Sequence, residues 1–238
     1  YEKYIKKNLL KNVQTHFLYK HKSPTIIKKR YIEHVSNNKV LGVYTMNDEE
    51  LNSRDESKFK KMILKEIKKN DLVIVSDYGH GLITKKIAKL LCKKSKFLAL
   101  NAQANASNIG YHTIQKYKGV DCVVMNEMEL RHELRDKKGK ITLLAKKLVD
   151  MIKIKNLIVT RGSSGAILYN STKKKYFSCP AFASKIVDKV GAGDSMLSII
   201  SILLKAKFKI NLALFLGSIA GAMSVGEISN KFPIKKTN

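Results

Sequence analysis

Short apolar runs alternate with segments of helical periodicity through the middle of this chain, and the alternation restricts the folds that it can adopt. The predicted strands are the runs at residues 72–75, 97–100, 122–125 and 157–159. Apolar residues recur at helical spacing within residues 59–67, 83–91 and 144–151. Repeated strand–helix–strand units predict an α/β fold, with a mostly parallel sheet covered by helices on both faces.

Polar residues follow each of these strands. They are Asp77 after the first strand, Asn101 and Gln103 after the second, Asn126 and Glu129 after the third, and Thr160 with Gly162 after the fourth. In an open α/β sheet, ligands bind beyond the carboxyl ends of the strands. One polar residue at such a position usually forms a turn, but four successive strand ends in register predict the wall of a binding site.

A glycine-rich turn leads directly into an apolar run near the C-terminus. The turn is Gly191-Ala192-Gly193-Asp194, and the run covers residues 196–204. Glycines let consecutive backbone N–H groups point the same way, and at a helix N-terminus such groups form a site for negative charge. Asp194 can then take a proton from a hydroxyl beside that anion, which suits phosphoryl transfer to an alcohol. Alternatively, Asp194 acts only as a capping acid.

Composition excludes several other classes of site. The sequence has no P-loop, and no Gly-x-Gly-x-x-Gly run follows a strand. The formal net charge is +27, but the lysines are spread along the chain and Trp is absent. We therefore expect a solvated surface that attracts anionic metabolites, without specific nucleic-acid binding. Three separated cysteines favour a cytoplasmic location, and the uncharged run at residues 210–226 is too short and polar for a membrane span.

Three motifs together resemble those of the PfkB (ribokinase-like) family of carbohydrate kinases. They are Gly-Ala-Gly-Asp at 191–194, Asn126-x-x-Glu129, and Thr-Arg-Gly-Ser-Ser-Gly-Ala at 160–166. Their order and spacing agree with the family, and the resemblance covers roughly residues 72–226. It implies a three-layer, ribokinase-like α/β/α core with a small β lid. It also implies ATP-dependent phosphorylation of a sugar or sugar-phosphate hydroxyl.

The resemblance implies roles for the residues of the glycine-rich turn. Asp194 is the expected catalytic base for the acceptor hydroxyl. The N–H groups of Gly191, Ala192 and Gly193 are the expected anion hole for the transferred phosphoryl group. Lys189 departs from the family pattern, which commonly has threonine before this turn.

The resemblance also implies a nucleotide side of the site. Asn126 and Glu129 are expected to hold Mg²⁺ largely through water beside ATP. Thr160 and Gly162 are expected near the nucleotide. Residues 218–226 resemble the helix along which adenine lies, although close helix packing explains their small side chains nearly as well. The sequence leaves open whether a monovalent cation assists.

Two strand-end segments restrict the class of sugar that we expect as the phosphoryl acceptor. Residues 76–81 and 101–105 resemble those of D-glycero-β-D-manno-heptose 7-phosphate kinases and related sugar kinases. This resemblance implies a sugar that already carries a phosphate and is phosphorylated at its anomeric hydroxyl, with other sugars as the alternative. Asp77, Asn101 and Gln103 are the expected substrate-binding residues, although Asp77 equally suits the cap of the helix that follows it.

Residues 24–45 resemble the lid strands of the family. β-prone runs on either side of residues 36–38 predict a hairpin there. Lys28 or Arg30 is expected to meet the substrate phosphate. The alternative is that both lie on a solvated strand of a lysine-rich protein.

These expectations describe one kinase domain over residues 1–238, with its core at about residues 57–230. The family's early Gly-Asp turn and Gly-Gly stretch are not matched at the start of the chain, so we expect the domain to be incomplete at its N-terminus. The family implies a homodimer formed through the lid. From a different functional class, a non-catalytic nucleotide-binding relative is the alternative.

Overall fold

The computed structural model describes residues 1–34, 39–103, 108, 110–183, 187–188 and 190–226. The strands are β1 (Ile27–Ile32), β2 (Lys39–Thr45), β3 (Val73–Asp77), β4 (Leu98–Ala102), β5 (Val120–Asn126), β6 (Ile154–Thr160), β7 (Ala166–Asn170) and β8 (Lys175–Cys179). The α-helices are α1 (Glu2–Asn8), α2 (Ser53–Ile67), α3 (Lys85–Lys94), α4 (Glu127–Leu134), α5 (Ile141–Ile152), α6 (Ala192–Lys205) and α7 (Ile210–Val225). The last four residues of the expected core, 227–230, lie outside the described residues.

The main sheet has the strand order β3-β4-β5-β6-β7-β8. Strands β3 to β6 run parallel, whereas β7 and β8 are antiparallel additions at one edge. The mostly parallel sheet predicted from the four apolar runs is therefore confirmed. The four apolar runs did not include β7 and β8, although these strands are as long as β3 and β4.

Helices cover both faces of this sheet. One face packs against α3, α4 and α5, and the other packs against α6 and α7. Because side chains alternate along a strand, neighbours in sequence enter different cores: Leu98 and Leu100 of β4 join the first and Ala99 joins the second. This arrangement confirms the three-layer α/β/α fold class.

β1 and β2 form a separate antiparallel hairpin, which we call the lid. Its register runs from Ile27 opposite Thr45 to Ile32 opposite Lys39. Lys28 and Arg30 share one face of the lid, and Lys29 lies between Ile27 and Tyr31 on the other. The small β unit is confirmed, while the turn predicted at residues 36–38 lies outside the described residues.

The structure also bears on the cysteines and on membrane insertion. Cys92, Cys122 and Cys179 are free thiols, and burial raises the pKa of Cys92 and Cys122 above the usual thiol range. Across the described parts of the chain, none of the helices combines the length and apolar character needed to cross a bilayer.

Candidate active site

The glycine-rich turn forms the N-terminus of α6. Gly191 is the N-cap and has a φ of 87°, a left-handed conformation that disfavours any residue with a Cβ. No side chain caps α6, so the first-turn amides of Ala192, Gly193 and Asp194 keep their capacity to donate to an anion. A Cβ at Gly193 would meet no heavy atom of the described residues within 4 Å. This end of α6 is therefore open.

Close packing by α7 fixes the position of α6. A Cβ on Gly217 would lie 3.2 Å from Cβ of Ile200, and one on Gly221 would lie 3.4 Å from the backbone oxygen of Ala192. Two glycines one turn apart thus let α7 approach α6 closely. Within the segment 218–226 this packing accounts for Gly221, and a contact of that segment with adenine stays a prediction.

Asp194 meets the sheet through Ser76, a residue that the strand-end pattern did not single out. Oγ of Ser76 donates a hydrogen bond to Oδ1 of Asp194 at 3.2 Å. Ser76 is exposed and Asp194 is half-buried, so the pair lies at the open end of the sheet. Because side chains alternate along β3, Ser76 lies on the α6 face and Asp77 on the opposite face. That alternation is the signal that identifies Ser76 once the face covered by α6 is known.

Asp77 is buried away from α6, at 4% exposure. Its Oδ2 accepts a hydrogen bond from Oη of Tyr117 at 2.6 Å and lies 2.7 Å from Nζ of Lys116. Burial, followed by the negative charge of Asp77, raises the pKa of Tyr117, so its phenol stays a donor. The expected contact of Asp77 with sugar stays a prediction. The capping alternative is wrong, because the N-cap of α3 is Thr84.

Asn101 and Gln103 lie where β4 and β5 separate. The ladder between these strands pairs residues only as far as Leu100. Beyond it, Nδ2 of Asn101 donates to the backbone oxygen of Val124 at 2.8 Å. Gln103 is half-buried. The substrate-binding roles of Asn101 and Gln103 stay predictions, and residues 104–105 of the predicted segment lie outside the described residues.

Asn126 and Glu129 form a capping box at the start of α4. Oδ1 of Asn126 accepts from the N–H of Glu129 at 2.8 Å, and Oε2 of Glu129 accepts from the N–H of Asn126 at 2.8 Å. Amide and carboxylate oxygens have more than one lone pair, so capping is compatible with water-mediated binding of a cation. In the described ranges, no group of three His, Cys, Asp or Glu side chains is arranged to hold a metal. A divalent cation here would depend on water and phosphate oxygens.

Thr160 and Gly162 lie next to this capping box. Thr160 is directly opposite Asn126 in the parallel ladder between β5 and β6, so both side chains share the α6 face. Gly162 has a φ of 57° and begins a short 3₁₀ turn. Arg161, which lies between Thr160 and Gly162 in the chain, donates from Nε to Oε2 of Glu127 at 3.2 Å. Sequence reasoning missed this ion pair, because only the fold brings the end of β6 to the start of α4.

The lid contacts the same end of the sheet through Lys28. Nζ of Lys28 lies 5.1 Å from the ring centroid of Tyr78 and 5.8 Å from that of Tyr44, within the range of cation–π attraction. Lys28 is the residue of β1 that is partly buried, whereas Arg30 is exposed. The structure therefore brings Lys28 to the strand-end loop, and the expected phosphate contact of Arg30 stays a prediction.

A cavity of about 230 Å³ opens on another flank of α4. Its walls include Ala102, His112, Glu129 and Arg135, and Asp194 is not among its lining residues. The cavity therefore shares Glu129 with the predicted nucleotide side but is separate from the glycine-rich turn. Lys189, the residue that departs from the family pattern, lies outside the described residues.

Comparison with known proteins agrees with the motifs. The model of the pfkB family of carbohydrate kinases matches residues 2–237. The bifunctional protein HldE of Campylobacter jejuni subsp. doylei is 28% identical over 229 residues, which are 94% of this chain and 47% of that protein. HldE of Desulfatibacillum aliphaticivorans is 25% identical over 197 residues, 81% of this chain and 39% of that protein. The chain thus spans less than half the length of these relatives.

Solved structures share the fold at low sequence identity. Phosphofructokinase-2 from Escherichia coli, in complex with potassium, has a TM-score of 0.70 at 16% identity, covering 86% of this chain and 65% of that one. Ribokinase from Arabidopsis thaliana, complexed with ribose and ATP, has a TM-score of 0.65 at 16% identity, covering 87% and 65%. These similarities confirm a ribokinase-like fold.

Proposed function

Because the chain belongs to the pfkB family of carbohydrate kinases, we propose that it transfers the γ-phosphoryl group of ATP to a hydroxyl of a sugar or sugar phosphate. The observation that carries this proposal is the half-buried Asp194 carboxylate in the first turn of an uncapped helix, hydrogen-bonded to the strand end at Ser76. A base therefore lies beside a row of backbone donors. Phosphoryl transfer to an alcohol requires both.

In the proposed mechanism, Asp194 accepts the proton of the acceptor hydroxyl while the oxygen of that hydroxyl attacks the γ-phosphorus. The bond from that phosphorus to the β,γ-bridging oxygen breaks, and ADP leaves. The amides of Gly191, Ala192 and Gly193 donate to the oxygens of the transferred group, where each fixed donor of this kind typically contributes about 3–4 kcal/mol to the transition state. Since the amides are already oriented by the helix, they need no reorganisation during the reaction.

The nucleotide side of the proposal uses the neighbouring strand ends. Asn126 and Glu129 would hold Mg²⁺ through water, and the ion would neutralise charge on the ATP phosphates. Thr160 shares a sheet face with Asn126, and Gly162 leaves the backbone of the next turn accessible to nucleotide. These residues are proposed to orient ATP so that its γ-phosphate meets the first turn of α6.

The proposed acceptor is an anionic sugar, in particular a heptose 7-phosphate that reacts at its anomeric hydroxyl. Support comes from the resemblance of residues 76–81 to those of heptose 7-phosphate kinases and from Lys28, which the lid holds against Tyr78. An ammonium group at this position would attract the phosphate of such a sugar. Arg30 lies two residues further along the same face of β1 and is proposed to assist.

We also propose that the lid pairs with the lid of a second copy of the chain. Its face opposite to Lys28 carries the exposed Lys29 and four exposed apolar side chains, namely Ile27, Tyr31, Leu41 and Val43. Apolar side chains on one face of a two-stranded sheet favour pairing with a similar surface. The change Leu41→Lys should convert a dimer into a monomer in light scattering, whereas an unchanged mass would contradict lid pairing.

The kinase proposal is tested with Asp194→Asn. ADP release is measured over a panel of sugars and sugar phosphates that includes heptose 7-phosphate, and we expect kcat to fall by at least about 100-fold because the base is lost. Asp71→Asn is the matched control, since Asp71 is an exposed carboxylate just before β3 that pairs with Lys96. Wild-type ADP release at the no-enzyme background, equal to that of Asp194→Asn, would identify a non-catalytic nucleotide-binding relative instead.

A further inference from the structure

The Asp194 carboxylate accepts a hydrogen bond from Ser76, and the backbone N–H groups at the start of α6 are competing donors. Asp194 is the third residue of α6 after its N-cap, Gly191. An acidic side chain at this position readily turns back to accept from the N–H groups at the start of its own helix. Those are the same amides that the proposed function assigns to the transferred phosphoryl group. A carboxylate turned back in this way would leave the acceptor and also occupy the anion hole.

The contact with Ser76 opposes this turn. Oγ of Ser76 donates to Oδ1 of Asp194 at 3.2 Å, which holds the carboxylate toward the end of β3. The second oxygen, Oδ2, is then left to receive a proton from an acceptor. Ser76 can do this because it lies on a strand, whose backbone is fixed by its ladder with β4.

Tyr78 lies beside the Ser76–Asp194 pair, two residues after Ser76. Partial burial raises the pKa of Tyr78, the nearby charge of Asp194 raises it further, and a hydrogen bond with Ser76 lowers it in part. Tyr78 therefore lies close to both members of the pair. On its other side it contacts Lys28 of the lid. The contacts run without a break from the lid to the carboxylate.

From this geometry, we propose that Ser76 is a positioning residue: its hydroxyl holds the Asp194 carboxylate toward the acceptor and off the first-turn amides of α6. The inference rests on the proposed function, because it assigns Ser76 an effect only through the base. It predicts that loss of the hydroxyl acts mainly on kcat. Displacement of a reacting group by about 1 Å costs on the order of 100-fold in rate, so we expect Ser76→Ala to lower kcat by about 10- to 100-fold.

The test compares Ser76→Ala, Ser76→Thr and Ser198→Ala by steady-state kinetics in ATP and acceptor, with thermal unfolding in parallel. Ser76→Thr keeps a hydroxyl and suits a strand, so it should restore most of kcat. Ser198 is the matched control, because its Oγ donates to the backbone oxygen of the same Asp194 at 2.8 Å and not to the carboxylate. Ser198→Ala should turn over like the wild type.

Three results would overturn the inference. Full kcat in Ser76→Ala, with Asp194→Asn inactive, would remove the positioning role and leave the kinase proposal intact. A raised KM for the acceptor at unchanged kcat would make Ser76 a binding residue. Equal losses in the Ala and Thr variants, with a lowered melting temperature, would show only a strand defect. If Asp194→Asn is itself fully active, the proposed function fails first.

Discussion

The buried ion pair between Lys116 and Asp77 gives a sharp test of where the structure places Asp77. The side chains are 12% and 3% exposed, with the ammonium 2.7 Å from Oδ2, and Lys116 also donates to the backbone oxygen of Ile83 at 2.6 Å. Lys116→Met keeps an unbranched apolar chain of similar length but strands the carboxylate in the core. Breaking a buried pair in this way costs about 3–5 kcal/mol. For a domain of this size that corresponds to a fall of roughly 6–20 °C in melting temperature.

The loss in free energy of unfolding is measured by urea denaturation, with circular dichroism as the signal. Lys96→Met is the matched control, since Lys96 lies 2.8 Å from Asp71 in a pair whose side chains are 57% and 68% exposed, and it should cost under about 1 kcal/mol. The double variant Asp77→Asn/Lys116→Met should recover part of the loss, because the stranded charge is gone. Equal costs for Lys116→Met and Lys96→Met would refute the reasoning. A stable Lys116→Met variant with a raised KM for sugar would instead support a contact of Asp77 with the substrate.

Three further changes test other parts of the structure. Asn126→Ala should lower the free energy of unfolding by about 0.5–2 kcal/mol through its lost cap and raise the KM for MgATP. Asn126→Ser keeps the cap, so a raised KM in Asn126→Ser isolates the ligand role. Burial lowers the pKa of His112, so the unfolded chain binds a proton more readily than the folded chain below about pH 6.5. Between pH 7 and 5 the wild type should therefore lose more stability than His112→Asn. Urea midpoints that fall in parallel for the two proteins would contradict this. Gly217→Leu should cost about 1–3 kcal/mol by crowding Ile200 and raise the KM for ATP, while an unchanged melting temperature would disprove close packing of α7.

Much of the fold was accessible from local pattern. Apolar runs and helical spacing identified β3 to β6 together with α2, α3 and α5, because those periods are set by the geometry of each element alone. The turn before Asp194 was equally accessible, since glycine, alanine and aspartate before an apolar run are a local signal of a helix start. The placement of β7 and β8 was not, because antiparallel pairing at the edge of β6 is set by tertiary contacts.

The sequence by itself determined which residues stand at strand ends and at the start of α6, because position along an element is a local property. Tertiary structure decided which of those residues face one another. Ser76 and Asp77 are neighbours in the chain, yet the fold sends one to Asp194 and buries the other with Lys116. The physical reason is that side chains alternate along a strand, and only the packing of helices on each face settles which side becomes the site and which becomes the core.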